Sequence, residues 1–151
     1  MEQSKGELAK EYFQSGANCA QAVLAAFHKE CGLDEKTAFR MASGFGAGMA
    51  RMREVCGAVS GMILAANLLR GADDIKDKAA KDSHYAYLQV LLKEFQQSAG
   101  SLICRDLLGL TTKGGSAPTS EERTKEYYQK RPCGDMVKLA AEILERHWKD
   151  Q

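Results

Sequence analysis

No sign of charge dominates this chain. Its 21 Lys and Arg stand against 20 Asp and Glu, a net charge of +1 over 151 residues, so no strong field draws in nucleic acid or anionic lipid. Long apolar runs are missing too. The longest, Met62 to Leu69, is broken by Asn67 and falls far short of the roughly 20 residues that cross a bilayer. The expectation is a protein with neither a nucleic-acid nor a membrane partner. Residues 1–16 alternate charged and apolar side chains, without the apolar stretch of a secretory signal or the Arg-rich, acid-poor make-up of a transit peptide. That predicts a cytoplasmic location.

Period-two alternation of apolar residues is absent, as are internal repeats and low-complexity tracts. Apolar residues recur instead at helical spacing, which predicts an all-α fold with little room for sheet. At 16.5 kDa, with 44% hydrophobic and 27% charged residues, the chain has the composition of an ordinary globular domain and is long enough to bury a core without disulfide staples. We expect one domain over residues 1–151, a helical bundle of about six to eight helices.

The helix signals then place the cysteines. Leu8, Ala9, Tyr12 and Phe13 mark a first helix stopped by Ser15 and Gly16, and Asn18 caps a second that begins at Cys19 and runs towards Gly32. Asp34 caps a short third helix. It leads into Gly44, Gly46 and Gly48, a flexible loop rather than a dinucleotide site, because no strand precedes it. A fourth helix is expected from about Glu54 to Leu69, near the centre of the fold. In it Gly57, Gly61 and Ala65 lie four apart and let another backbone approach. Asp77 to Ser98 reads as a long scaffold helix with Tyr85, Leu88, Leu92 and Phe95 on its buried face. Ser101 caps a short turn containing Cys104. The Gly- and Ser-rich stretch Thr111 to Ser120 is a loop and a candidate lid, Glu121 to Lys130 a charged surface helix, and Pro132 precedes a last helix opened by Cys133.

Four of the five cysteines, Cys19, Cys56, Cys104 and Cys133, thus fall in the first turn of an expected helix. There the unpaired N–H groups and the helix dipole favour a thiolate, the form that acts as nucleophile or metal ligand. Cys31 falls near a helix C-terminus, where the dipole disfavours a thiolate, and reads as a packing residue. A reducing compartment and an odd count argue against a disulfide framework. Arg51, Arg53 and Arg105 are candidates to stabilise thiolates or hold a cofactor by charge; otherwise they pair with a carboxylate such as Glu54 or Asp106. His28, His84 and His147 lie in no haem-attachment or zinc motif and read as packing or surface residues.

The cysteine pattern resembles a family of small redox-active proteins named C_GCAxxG_C_C. The likeness rests on Cys19 in Gly16-Ala17-Asn18-Cys19-Ala20-Gln21-Ala22-Val23, on Cys56-Gly57-Ala58-Val59-Ser60-Gly61, on Cys104-Arg105-Asp106-Leu107-Leu108-Gly109 and on Arg131-Pro132-Cys133-Gly134, and spans nearly the whole chain. One departure is that the family label puts glycine before the central cysteine, whereas Val55 precedes Cys56 and Gly57 follows it. The resemblance implies a redox-associated helical protein whose four cysteines form one site, with no fixed substrate.

The residues leave three readings open. In the first, the four cysteines cycle between dithiol and disulfide against an unidentified redox partner. In the second they are the ligands of a zinc ion or an iron–sulfur cluster, although no Cys-x2-Cys pair presets such a site. In the third the domain is a non-catalytic interaction module with buried, inert cysteines. Homo-oligomerisation stays open in all three.

Overall fold

Among the described residues the chain forms eight α-helices and one 3-10 turn: α1 (Lys5–Gln14), α2 (Cys19–Ala26), α3 (Glu35–Ala42), the 3-10 turn Ser43–Phe45, α4 (Gly57–Arg70), α5 (Lys78–Ala99), α6 (Cys104–Leu107), α7 (Lys125–Lys130) and α8 (Cys133–His147). A computed structural model describes residues 3–110 and 115–148. The first four residues of the expected 111–120 loop lie outside that range.

At the centre sits α2, not α4 as expected. Seven of its eight residues are buried, and α1, α3, α4 and α8 all pack on it. Its side chains are small, so the surrounding helices can come close. The Gly57/Gly61/Ala65 face of α4 serves this internal contact: a Cβ at Gly61 would lie 2.6 Å from the Ala20 carbonyl oxygen and 3.0 Å from the Val23 Cβ, closer than real packing allows. Phe13, Phe27, Met62, Phe95, Ile143 and Leu144 fill the remaining core.

Most helix starts obey the local signals. Asn18 and Gln21 form a reciprocal capping box, with each side chain bonded to the other's backbone N–H at 2.9 Å. Asp34 caps α3 as expected, Asp77 caps α5 one residue before its first turn, and Gly100 ends α5 in the left-handed conformation at φ 96°. Some expectations fail. The second helix stops at Ala26 and gives way to turns, so Cys31 lies beyond the helix rather than in its last turn. Tyr85 is 64% exposed, and Leu91 takes its place beside Phe95 in the core. Glu121 to Thr124 is not helical, and α7 starts only after its Thr124 cap.

The fourth helix begins three residues later than expected because the chain before it pairs elsewhere. Val55 and Ile103 form an antiparallel bridge, the one strand-like contact among the described residues. Around it Cys56 N–H donates to Leu102 O at 2.8 Å, Cys104 N–H to Glu54 O at 2.6 Å and Arg105 N–H to Arg53 O at 3.2 Å. Preceding this bridge, the chain runs left-handed through Ala47, Gly48, Met49, Ala50 and Arg51, with φ between 51° and 71°, and again at Arg53 with φ 61°. For a residue with a Cβ that conformation costs roughly 1–2 kcal/mol.

Candidate functional site

The four cysteines expected to act together face one cavity of about 400 Å3 at the end of the bundle where α2, α4, α6 and α8 begin. Cys19 and Cys133 are the first residues of α2 and α8, Cys56 is the residue that precedes the first turn of α4, and Cys104 opens the four-residue α6. All are free thiols. Close glycine contacts hold them there. A Cβ at Gly57 would lie 3.0 Å from that of Cys19, and one at Gly48 would lie 2.6 Å from that of Cys104. Gly48 adopts φ +71°, so this position needs glycine for both its backbone and its missing side chain.

The sulfurs differ in chemistry. The neighbouring Cys19 thiol, with help from Arg131, Arg53 and Arg123, brings the Cys133 thiol down to about 7 despite the opposing effect of burial. Cys19 moves the other way, well above the ordinary thiol range, because of the neighbouring Cys133 and because it is buried. Cys56 is pushed up to about 12 by burial, partly offset by backbone N–H groups of Ala58 and Val59 at the start of α4. Burial also raises Cys104, against the pull of the Arg53 guanidinium, whose Nη1 donates to its sulfur at 3.7 Å. Near neutral pH Cys133 is therefore the readily ionised member of the four, about half thiolate at pH 7, while the other three are held as thiols. Helix placement alone does not lower a cysteine here: the two most buried thiols gain less from the helix start than they lose by leaving water.

Cys31 lies elsewhere, donating to Ala65 O at 3.7 Å and pushed up to about 11 by burial. None of the three histidines lines the cavity; His28 contacts Ala25 O, His84 the Asn67 side chain, and His147 Glu94. Among the described residues, no three His, Cys, Asp or Glu side chains are gathered closely enough to hold a metal ion. The four sulfurs share a cavity wall rather than a coordination sphere.

Arg51 and Arg53 line the cavity; Arg105 does not, and pairs with Glu54 at 3.5 Å. Two arginines that sequence reasoning passed over stand in its place. Arg131 precedes Pro132-Cys133, a neighbourhood that could have flagged it. Arg123 reaches the site from the stretch Glu121 to Lys130, expected as a surface helix, and offers no local signal. Its guanidinium lies over the Phe13 and Tyr127 rings and donates to the Phe13 and Ala17 carbonyls at 3.1 and 3.0 Å. The loop expected as a lid does reach the site. Ser116 accepts from Arg53 Nε at 2.9 Å, Ala117 O accepts from Arg51 Nε at 2.6 Å, and Pro118 and Ser120 line the cavity.

An all-α bundle that gathers four helix-start cysteines at one arginine-lined cavity is the class of protein defined by these features. The chain belongs to the C_GCAxxG_C_C family, whose model carries the description "Putative redox-active protein (C_GCAxxG_C_C)" and matches residues 17–147, all four cavity cysteines included. Comparison with the curated proteins and with the solved structures gave no match. Among the described residues no helix is long and apolar enough to cross a membrane.

Proposed function

We propose that this protein is a thiol–disulfide oxidoreductase in which Cys133 attacks and Cys19 resolves. The observation that carries the reading is that two free thiols, Cys19 and Cys133, open α2 and α8 onto one arginine-lined cavity, with the Cys133 thiol brought down to about 7. A thiol whose pKa lies near ambient pH is close to the optimum for attack, since it is substantially ionised yet still nucleophilic.

In the first step the Cys133 thiolate attacks a substrate disulfide, forming a mixed disulfide and releasing one substrate thiolate. Cys19 then gives its proton to that leaving thiolate and attacks the Cys133 sulfur. The Cys19–Cys133 bond forms, the mixed disulfide breaks, and the second substrate thiolate leaves. Two electrons pass from the dithiol to the substrate, and an external dithiol reduces the protein again. Cys56 stays protonated at neutral pH and takes no part in these steps.

Exchange with oxidised glutathione, followed by mass spectrometry, tests the reading. Wild-type protein should release two glutathione thiols and end with an internal disulfide, whereas Cys19→Ser should stop at one glutathione bound to Cys133. Adducts on a different cysteine, or exchange no faster than that of free cysteine, would overturn it. A visible absorption band in anaerobically purified protein would point instead to a cluster on the same four cysteines.

A further inference from the structure

The cavity holds more positive charge than thiol exchange needs. Arg51, Arg53, Arg123 and Arg131 line it and Glu121 is the one carboxylate among the lining residues, so four charges less one leave an excess of three. A thiolate at Cys133 reduces this to two. The net charge of the whole chain is only +1, so the excess is local to this wall.

Nor is the excess evenly shared. Glu121 is held by Arg131, with Arg51 4.0 Å away. Arg53 and Arg123 have no carboxylate within ion-pair distance among the described residues. Arg53 is only 5% exposed. Its Nε donates to the Ser116 hydroxyl and its Nη1 to the Cys104 thiol, while Nη2 has no partner among the described residues. Both partners are neutral. A guanidinium taken out of water with only neutral hydrogen-bond partners is unfavourable; the negative charges that act on it from farther off, the Cys133 thiolate and Glu121, are shared with other arginines, and the backbone that delivers it is itself strained, left-handed at 47–51 and at Arg53. Strain of this kind persists where the surrounding structure enforces it, and it clusters at binding sites.

From this geometry we infer that the cavity binds a small, multiply charged anion of the oxyanion or carboxylate type, with Arg53 and Arg123 as its principal ligands. The volume of about 400 Å3 falls in the usual range for small-molecule sites, and the guanidinium fork suits either anion by paired N–H donation. The anion site stands with or without thiol turnover; where exchange occurs, it places the charged end of the disulfide beside Cys133.

Two probes of Cys133 differ only in charge and therefore read the field directly. Iodoacetate should outpace iodoacetamide by at least about tenfold relative to their ratio on free cysteine, and millimolar sulfate or succinate should abolish that preference. The same anions should raise Tm by about 3 °C or more over chloride at matched ionic strength. Arg53→Gln and Arg123→Gln should lose both effects, with Arg53→Lys retaining part. Response to sulfate alone assigns an oxyanion site and response to succinate alone a carboxylate site. An alkylation ratio equal to that of free cysteine, with no Tm response to either anion, overturns the inference, and both measurements on wild-type protein stand even if a variant fails to fold. Slow iodoacetamide reaction together with an anion-dependent Tm would remove the oxidoreductase reading and leave the anion site standing.

Discussion

Replacing Cys19 by alanine removes the neighbour that most lowers the Cys133 thiol. A hydrogen bond to a charged group contributes roughly 1.5–3 kcal/mol, which is about one to two pH units at 1.36 kcal/mol each. The three nearby guanidinium groups of Arg131, Arg53 and Arg123 remain and hold part of the shift. The Cys133 midpoint should therefore move from about 7 to roughly 8–9. At pH 7 the thiolate fraction then falls from about a half to between a tenth and a hundredth, so iodoacetamide should modify Cys133 about 5- to 50-fold more slowly. Alkylation rates between pH 5 and 9.5, read peptide by peptide by mass spectrometry, give both midpoints. A wild-type midpoint near that of free cysteine, or an unchanged midpoint in the variant, would refute the idea that Cys19 activates Cys133.

Further consequences follow from packing, backbone and burial. Gly61→Ala adds a methyl 2.6 Å from the Ala20 carbonyl; the overpacking, roughly 1–3 kcal/mol, should exceed the gain of about 1 kcal/mol in helix propensity, and a rise in Tm would contradict the close α2–α4 contact. Ala50→Gly relieves an exposed left-handed residue at φ 51° and should stabilise by about 1 kcal/mol, measured as a higher urea midpoint. Cys56 is raised in the folded state to about 12, so its contribution is complete below the unfolded thiol pKa and is lost as pH rises from about 9 to 12. Urea titrations of wild type and Cys56→Ala should therefore converge by roughly 2 kcal/mol between pH 8 and 10.5; parallel pH profiles would show that Cys56 ionises freely in the fold.

Local chemistry explains what could be read in advance. Asn18 with Gln21, Asp34 and Asp77 satisfy backbone donors within three residues, so the starts of α2, α3 and α5 are written into short windows. The small-residue face of α4 likewise announced a close helix contact, although it serves to bury α2 rather than to put α4 at the centre. What escaped reading depends on distant partners. The delayed start of α4 follows from the pairing of Val55 with Ile103, 48 positions away (103 − 55), and no residue near Glu54 signals it. Ala47, Met49, Ala50 and Arg51 have no preference for left-handed backbone, so that run is imposed by its surroundings. The pairing of Arg105 with Glu54 was one of the outcomes its position allowed, whereas Arg123 enters the site through the Phe13 and Ala17 carbonyls, which nothing near it in sequence announces. The helix-start placement of the four cysteines was legible, and their convergence was expected only from the family resemblance; the difference in their acidities was not legible, because burial depth and the nearness of Cys19 to Cys133 belong to the folded chain.

Which sulfurs join when the protein is oxidised decides most directly whether Cys133 and Cys19 form the reactive pair. Equilibrating native protein against oxidised and reduced glutathione, quenching with acid and mapping the peptides should yield one reversible two-electron product, the Cys19–Cys133 disulfide, with Cys31 and Cys56 still reduced. A different pair, or five free thiols at every ratio, would contradict it.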